Sequence, residues 1–147
     1  MKRIVIAICL SLLLISPAFA GGTADEAKAL MGKAVSFLKV EGKDKAFTEF
    51  TNPQGKFVDR DLYIFVVDFN GITLAHGGSP KLVGKDMLGL KDADGKFFIK
   101  NFIELAKTKG AGWVDYKWVN PVTKKIEDKS TYIQKVDDYF LGCGIYK

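Results

Sequence analysis

The sequence predicts an α+β fold in which one five-stranded antiparallel sheet lies behind a long N-terminal helix, with further helices between strands 2 and 3. Three observations point there. Residues 23–42 carry apolar side chains at helical spacing, and residues 61–76 are two strand-like runs joined by Phe69, Asn70 and Gly71. Residues 112–146 hold three more strand-like runs, separated at Asn120-Pro121 and Asp137-Asp138, with no helical stretch among them. The 147-residue chain is 48% hydrophobic and 27% charged, which excludes disorder, collagen and low complexity. A domain of this size buries about two-thirds of the surface its unfolded chain exposes, so no disulfide or metal staple is required.

Residues 1–20 read as an export signal, and residues 21–147 as one domain in the periplasm. Lys2 and Arg3 precede an almost wholly apolar run, Ile4 to Ile15, and Ala18 and Ala20 supply the small side chains of an A-x-A cleavage site. As a helix those twelve residues span about 18 Å, short of the ~30 Å hydrocarbon core, so no stable membrane insertion is expected after cleavage. Removal of residues 1–20 leaves 20 basic against 17 acidic residues, a net charge of +3 that singles out no nucleic-acid partner. It also removes Cys9, so Cys143 is left without a disulfide partner and reads as a small buried hydrophobe.

Thr23 and Glu26 form a capping-box pair ahead of Ala27, Leu30, Met31, Ala34, Phe37 and Leu38, and Gly42 stops that helix. A second short helix is expected over Asp44–Phe50, followed by a turn at residues 52–55. Residues 61–68, DLYIFVVD, are apolar on both faces, as a strand covered on each side must be. Asn70-Gly71 tolerates the positive φ of a hairpin turn, and residues 72–76, ITLAH, return. After Gly77–Pro80 come a short helix near Lys85–Leu88 and a longer one over Lys96–Lys107, capped by Asp92 or Asp94 and ended at Gly110. The remaining strands are expected at residues 112–119, Thr131–Val136 and 139–146.

Catalytic chemistry finds little support. His76 is the one histidine, no G-x-S-x-G elbow occurs, and the C-x-x-C-H haem pattern is absent. Asp92, Asp94 and Gly95 imitate the start of a calcium loop, but the later carboxylates of an EF-hand are missing. The expectation is therefore a non-enzyme with neither metal nor cofactor. What stands out is a polar and aromatic set: Trp113, Tyr116, Trp118, Lys129, Tyr132 and His76. An apolar cavity with a few convergent donors suits a small anion, with Lys129 as the charge, Tyr132 and His76 as donors, and Tyr116 and Trp118 as walls. Strict alternation places Lys129 and Tyr132 on opposite faces of a strand, so a shared pocket requires Lys129 in the preceding loop or a bulge between them.

The run LYIFVVDFNGITLAHGGSPKLVGKDML, then Gly-Trp-Val-Asp-Tyr, the Asn-Pro turn, Lys-Ser-Thr-Tyr and the closing LGCGIYK, in this order over residues 25–147, resembles the single Cache family, type 2. The resemblance implies a PAS-like five-stranded sheet with a long N-terminal helix, and an extracytoplasmic sensor module for a small organic acid. It places the pocket on His76, Tyr116, Trp118, Lys129 and Tyr132, with Phe65 and Trp113 as further lining. Where the family often has His-Pro after the second strand, Gly77, Gly78 and Ser79 precede Pro80 here. Read to Lys147, the sequence leads to the expectation of neither a transmembrane helix nor an output domain after the sensor. A periplasmic binding protein that presents its ligand to a membrane histidine kinase, chemoreceptor or transporter is expected. The alternative is a closed-pocket interaction protein of the same fold.

Overall fold

The computed structural model describes residues 20–147. The export signal expected over residues 1–20 lies outside the described residues, Ala20 excepted. Helix α1, Ala24–Glu41, begins where Thr23 accepts from the Glu26 amide and Glu26 accepts from the Thr23 amide, the reciprocal capping box. Gly42, at φ 80°, ends it and opens α2, Lys43–Thr51. The sheet follows as β1 (Val58–Asp59), β2 (Leu62–Asp68), β3 (Thr73–His76), β4 (Ala111–Val119), β5 (Ile126–Val136) and β6 (Tyr139–Tyr146), with α3, Phe98–Lys109, between β3 and β4.

All pairings are antiparallel, in the order β1-β2-β6-β5-β4, and β3 shares the outer edge of β2 with β1. Among the described residues the sheet therefore has six strands rather than the five expected, the extra one being the two-residue β1. Between β2 and β3, Gly71 takes φ 87° while Asp68 Oδ1 accepts from the Asn70 and Ile72 amides, so the carboxylate braces the turn that the glycine permits.

Strand alternation divides the core in two. On one face Leu62, Ile64, Val66, Tyr139, Leu141 and Cys143 pack against α1 and α2 through Leu30, Met31, Ala34 and Phe50. On the other, Tyr63, Phe65, Val67, Tyr116, Ile133 and Phe140 meet Phe98, Ile99, Phe102 and Ala106 of α3. Both faces of β2 are buried, as its run of apolar residues requires. Cys143 is fully buried, and burial pushes its thiol up to about 12, so it packs as a hydrophobe.

The connection between β3 and α3 departs from the sequence reading. Residues 85–88 form no helix. They run back along β3, where the Thr73 amide donates to the Lys85 carbonyl at 3.0 Å and the Met87 amide to the Gly71 carbonyl at 2.9 Å. A free edge of β3 satisfies those backbone groups better than one isolated helical turn does. The helical turn in this connection is a 3₁₀ turn at Pro80–Leu82. Helix α3 starts at Phe98 without a side-chain cap, so neither Asp92 nor Asp94 has the role expected of it. Asp92 instead accepts from the Asp94 and Lys96 amides and, at 3.0 Å, from the Lys117 amide of β4, tying the loop to the sheet. Strand β5 begins at Ile126, five residues before the expected Thr131, because every residue from Ile126 to Gln134 finds a partner on β4.

Candidate functional site

The early start of β5 decides which predicted site residues meet. Lys129 lies within the strand, no bulge separates it from Tyr132, and the two side chains point to opposite faces. Lys129 is paired across β4 with Tyr116 and across β6 with Tyr146, on the α3 face. Tyr132 and its cross-strand partner Trp113, ring centroids 5.4 Å apart, pack on the α1 face, with Lys28 Nζ 5.3 Å from the Tyr132 ring. Thus Phe65, His76, Tyr116, Trp118 and Lys129 share one face of the sheet, and Trp113 and Tyr132 lie behind it.

Lys129 is 1% exposed. Its Nζ donates to Tyr63 Oη at 2.7 Å and to Tyr146 Oη at 3.1 Å, and it sits 4.2 Å from the Tyr63 ring centroid. Tyr146 Oη donates in turn to the Val119 carbonyl at 2.8 Å. Among the described residues no carboxylate forms an ion pair with Lys129. Burial without a counter-ion disfavours the ammonium and lowers the lysine to about 7. Burial likewise raises Tyr63, Tyr116 and Tyr146, so their hydroxyls stay protonated.

His76, at the end of β3, lies between the rings of Tyr63 and Phe65 at 5.0 and 5.7 Å. The Ser79 amide donates to its Nδ1 at 2.9 Å, which puts the ring proton of the neutral form on Nε2. Burial first, and the nearby Lys129 charge second, lower the imidazole to about 3. It is therefore a neutral donor at any physiological pH. The loop that caps it is built from small residues, since a Cβ at Gly77 would run into the Phe50 carbonyl and one at Gly78 into the Tyr63 ring.

A cavity of about 20 Å³ lies on this face, lined by Phe65, His76, Met87, Phe98, Tyr116 and Trp118 among others, with Lys129 and Tyr63 outside its lining. Tyr116 is stacked on Phe98 at 4.7 Å and bonded to Thr131 Oγ1 at 3.2 Å, so this wall is held in place. Two strand glycines make the room. A Cβ on Gly142 would collide with the Phe65 ring, and one on Gly144 with Thr131 and Lys129, so β6 keeps glycine wherever a large side chain crosses it.

Tyr63, Tyr146 and the two glycines escaped the sequence reading. Tyr63 was within reach of it, because it precedes Phe65 by two positions on the same strand and so shares its face. Tyr146 and the glycines required the β5–β6 register, which no local pattern specifies. Among the described residues, no group of His, Cys, Asp and Glu is arranged to hold a metal ion, and no helix is long and apolar enough to cross a membrane.

Comparison with known proteins bears on this arrangement. The sensor histidine kinase MctS of Rhizobium johnstonii is 35% identical over 89 residues, 59% of this chain, and the match spans 19% of the kinase's own length. A methyl-accepting chemotaxis protein from Vibrio parahaemolyticus superposes with a TM-score of 0.73 at 28% identity, covering 83% of this chain and 86% of that one. A Cache chemosensory domain whose structure was described as the basis for carboxylic acid recognition gives 0.65 at 25% identity, with 83% and 86% covered. The model of the family described as single Cache domain 2 matches residues 20–147, every residue that forms the two-faced sheet and its helices. The chain belongs to the single Cache domain 2 family.

Proposed function

We propose that the protein is an extracytoplasmic sensor module that captures a small organic acid, a short carboxylate, and presents its ligand state to a membrane histidine kinase, chemoreceptor or transporter. One observation carries the reading, namely a buried lysine whose hydrogen-bond partners are hydroxyls and which forms no ion pair with a carboxylate among the described residues. An ammonium in that position is stabilised by an anion that brings its own negative charge. Lys129, the Tyr63 hydroxyl and His76 Nε2–H supply donors to the carboxylate, and Phe65, Met87 and Phe98 supply an apolar wall for a short carbon chain. The carboxylic acid recognition described for one structural neighbour supports the ligand class, and the kinase and chemotaxis relatives support the output.

A cavity of about 20 Å³ has room for roughly one water, so entry of a carboxylate requires the Trp118 ring or the 77–82 loop to move outward. That tight closure favours a second reading, an interaction module in which the pocket never opens. Thermal unfolding of the protein, refolded from denaturant to strip any carried ligand, distinguishes the two when acetate, propionate, pyruvate and lactate are added at millimolar concentration. A dose-dependent rise for one of them, by about 2.7 kcal/mol at a hundredfold excess over Kd, and its loss in Lys129→Met support the sensor. A flat response to all four supports the closed module.

A further inference from the structure

Outside the inner cavity, beyond Tyr63 and Trp118, lies a cleft of about 390 Å³. Its volume is that of an ordinary small-molecule site. One wall is the loop after β3, with Ser79, Lys81 and Leu82, and the other is the β4–β5 turn, with Pro121 and Lys124. Trp118 lines both spaces, and Tyr63, whose hydroxyl accepts from Lys129, lines the cleft. Inner site and outer cleft are thus separated by two aromatic side chains.

The charges in this cleft have one sign. Lys81 and Lys124 line it, no acidic side chain does, and neither lysine is ion-paired among the described residues. Glu127, the acid nearest in the same hairpin, is engaged by Asn120 Nδ2 at 2.9 Å and by Thr123 Oγ1. Lys124 also stands at φ 62°, a left-handed conformation that glycine adopts without strain and lysine does not. A turn with Lys124 N–H on the Asn120 carbonyl at 2.9 Å, and Asn120 N–H on the Lys125 carbonyl at 2.8 Å, holds it there. The β4–β5 turn therefore carries an ammonium on the cleft wall at the cost of a backbone conformation suited to glycine.

We propose that this cleft is a second anion subsite, so that the protein prefers dicarboxylates long enough to reach past the two rings over monocarboxylates. The inference rests on the carboxylate reading of the inner site. One carboxylate is held at Tyr63, His76 and Lys129, the connecting carbons pass Trp118 and Leu82, and the second carboxylate meets Lys81 and Lys124.

Calorimetric titration with propionate, glutarate and adipate tests it, on the wild type, Lys81→Ala/Lys124→Ala and Lys81→Arg/Lys124→Arg. Both lysines are exposed, so the substitutions leave the core untouched, and unchanged unfolding midpoints verify this. Glutarate or adipate should bind about tenfold tighter than propionate, the size of one good charge-assisted contact. That advantage should vanish in the alanine pair, survive in the arginine pair, and leave propionate affinity the same in all three proteins. Propionate binding as tightly as both diacids, or an advantage that persists in the alanine pair, overturns the second subsite and leaves the inner site standing. No binding of any of the three acids overturns both readings.

Discussion

Replacing Lys129 by methionine keeps most of the aliphatic stem and removes the buried ammonium, which isolates what that charge does to the fold. Burial lowers the lysine from 10.5 to about 7 in the native protein. The unfolded chain therefore holds more protons than the folded one between pH 7 and 10.5, and native stability must rise with pH across that window. Below pH 7 both states are protonated and the penalty is present in full. At about 1.4 kcal/mol per unit, the interval from pH 7 to pH 10 amounts to about 4 kcal/mol. Loss of the bonds to Tyr63 and Tyr146 adds a change that does not depend on pH over this range, since burial keeps both hydroxyls protonated. The quantity to measure is therefore a difference of differences. Urea unfolding followed by the fluorescence of Trp113 and Trp118 at pH 6 and pH 10 yields the wild-type minus variant stability at each pH. The methionine variant should gain about 4 kcal/mol on the wild type at pH 6 relative to its standing at pH 10. Parallel pH profiles for the two proteins would refute the argument, because they would mean that Lys129 titrates alike in folded and unfolded chains.

Three further outcomes follow from the same geometry. A carboxylate that pairs with Lys129 restores its charge, so binding at pH 8.5 should take up close to one proton and weaken about tenfold per unit above pH 7. Titrations in two buffers of different ionisation enthalpy measure that uptake, and zero uptake would place the ligand elsewhere. His76, lowered to about 3 by burial, makes the unfolded chain the better proton binder between pH 3 and 6.5, so stability should fall as pH drops through that window. In His76→Phe the fall should be shallower, as read by acid titration of near-ultraviolet circular dichroism. Gly142→Ala should destabilise the domain by about 1–3 kcal/mol, because the new methyl meets the Phe65 ring inside a packed layer. Pairing it with Phe65→Leu should recover part of the loss, and additive effects in the thermal unfolding of the double variant would argue against the collision.

How much of the site could be read from the chain depended on how far each residue's neighbours lie along it. Strand β2 shows its double burial in its own residues, LYIFVVD, and the Thr23/Glu26 capping box and the Asn70-Gly71 turn are likewise complete within a few positions. Local steric preference and periodicity specify such elements, and the structure reproduces them. The segment at residues 85–88 could not be read this way. Its backbone partners are on β3, and an available strand edge outweighed a weak local helical preference.

The conflict between Lys129 and Tyr132 was visible in the alternation of β5, but its resolution was not. Had the strand begun at Thr131, Lys129 would have been free in a loop to join Tyr132. Pairing with β4 extends the strand back to Ile126 and commits the two residues to opposite faces. The charged centre, Lys129 between Tyr63 and Tyr146, joins residues 66 and 17 positions away from the lysine. By itself the sequence determined the α+β class, the long capped helix, the first hairpin and the residue types available for binding an anion. Tertiary structure alone decided which of them share a face, which glycines make room for them, and that the lysine is buried with tyrosine hydroxyls as its hydrogen-bond partners. The reason is physical: periodicity and capping act over a few residues, whereas burial and register arise only when strands distant in sequence are brought together.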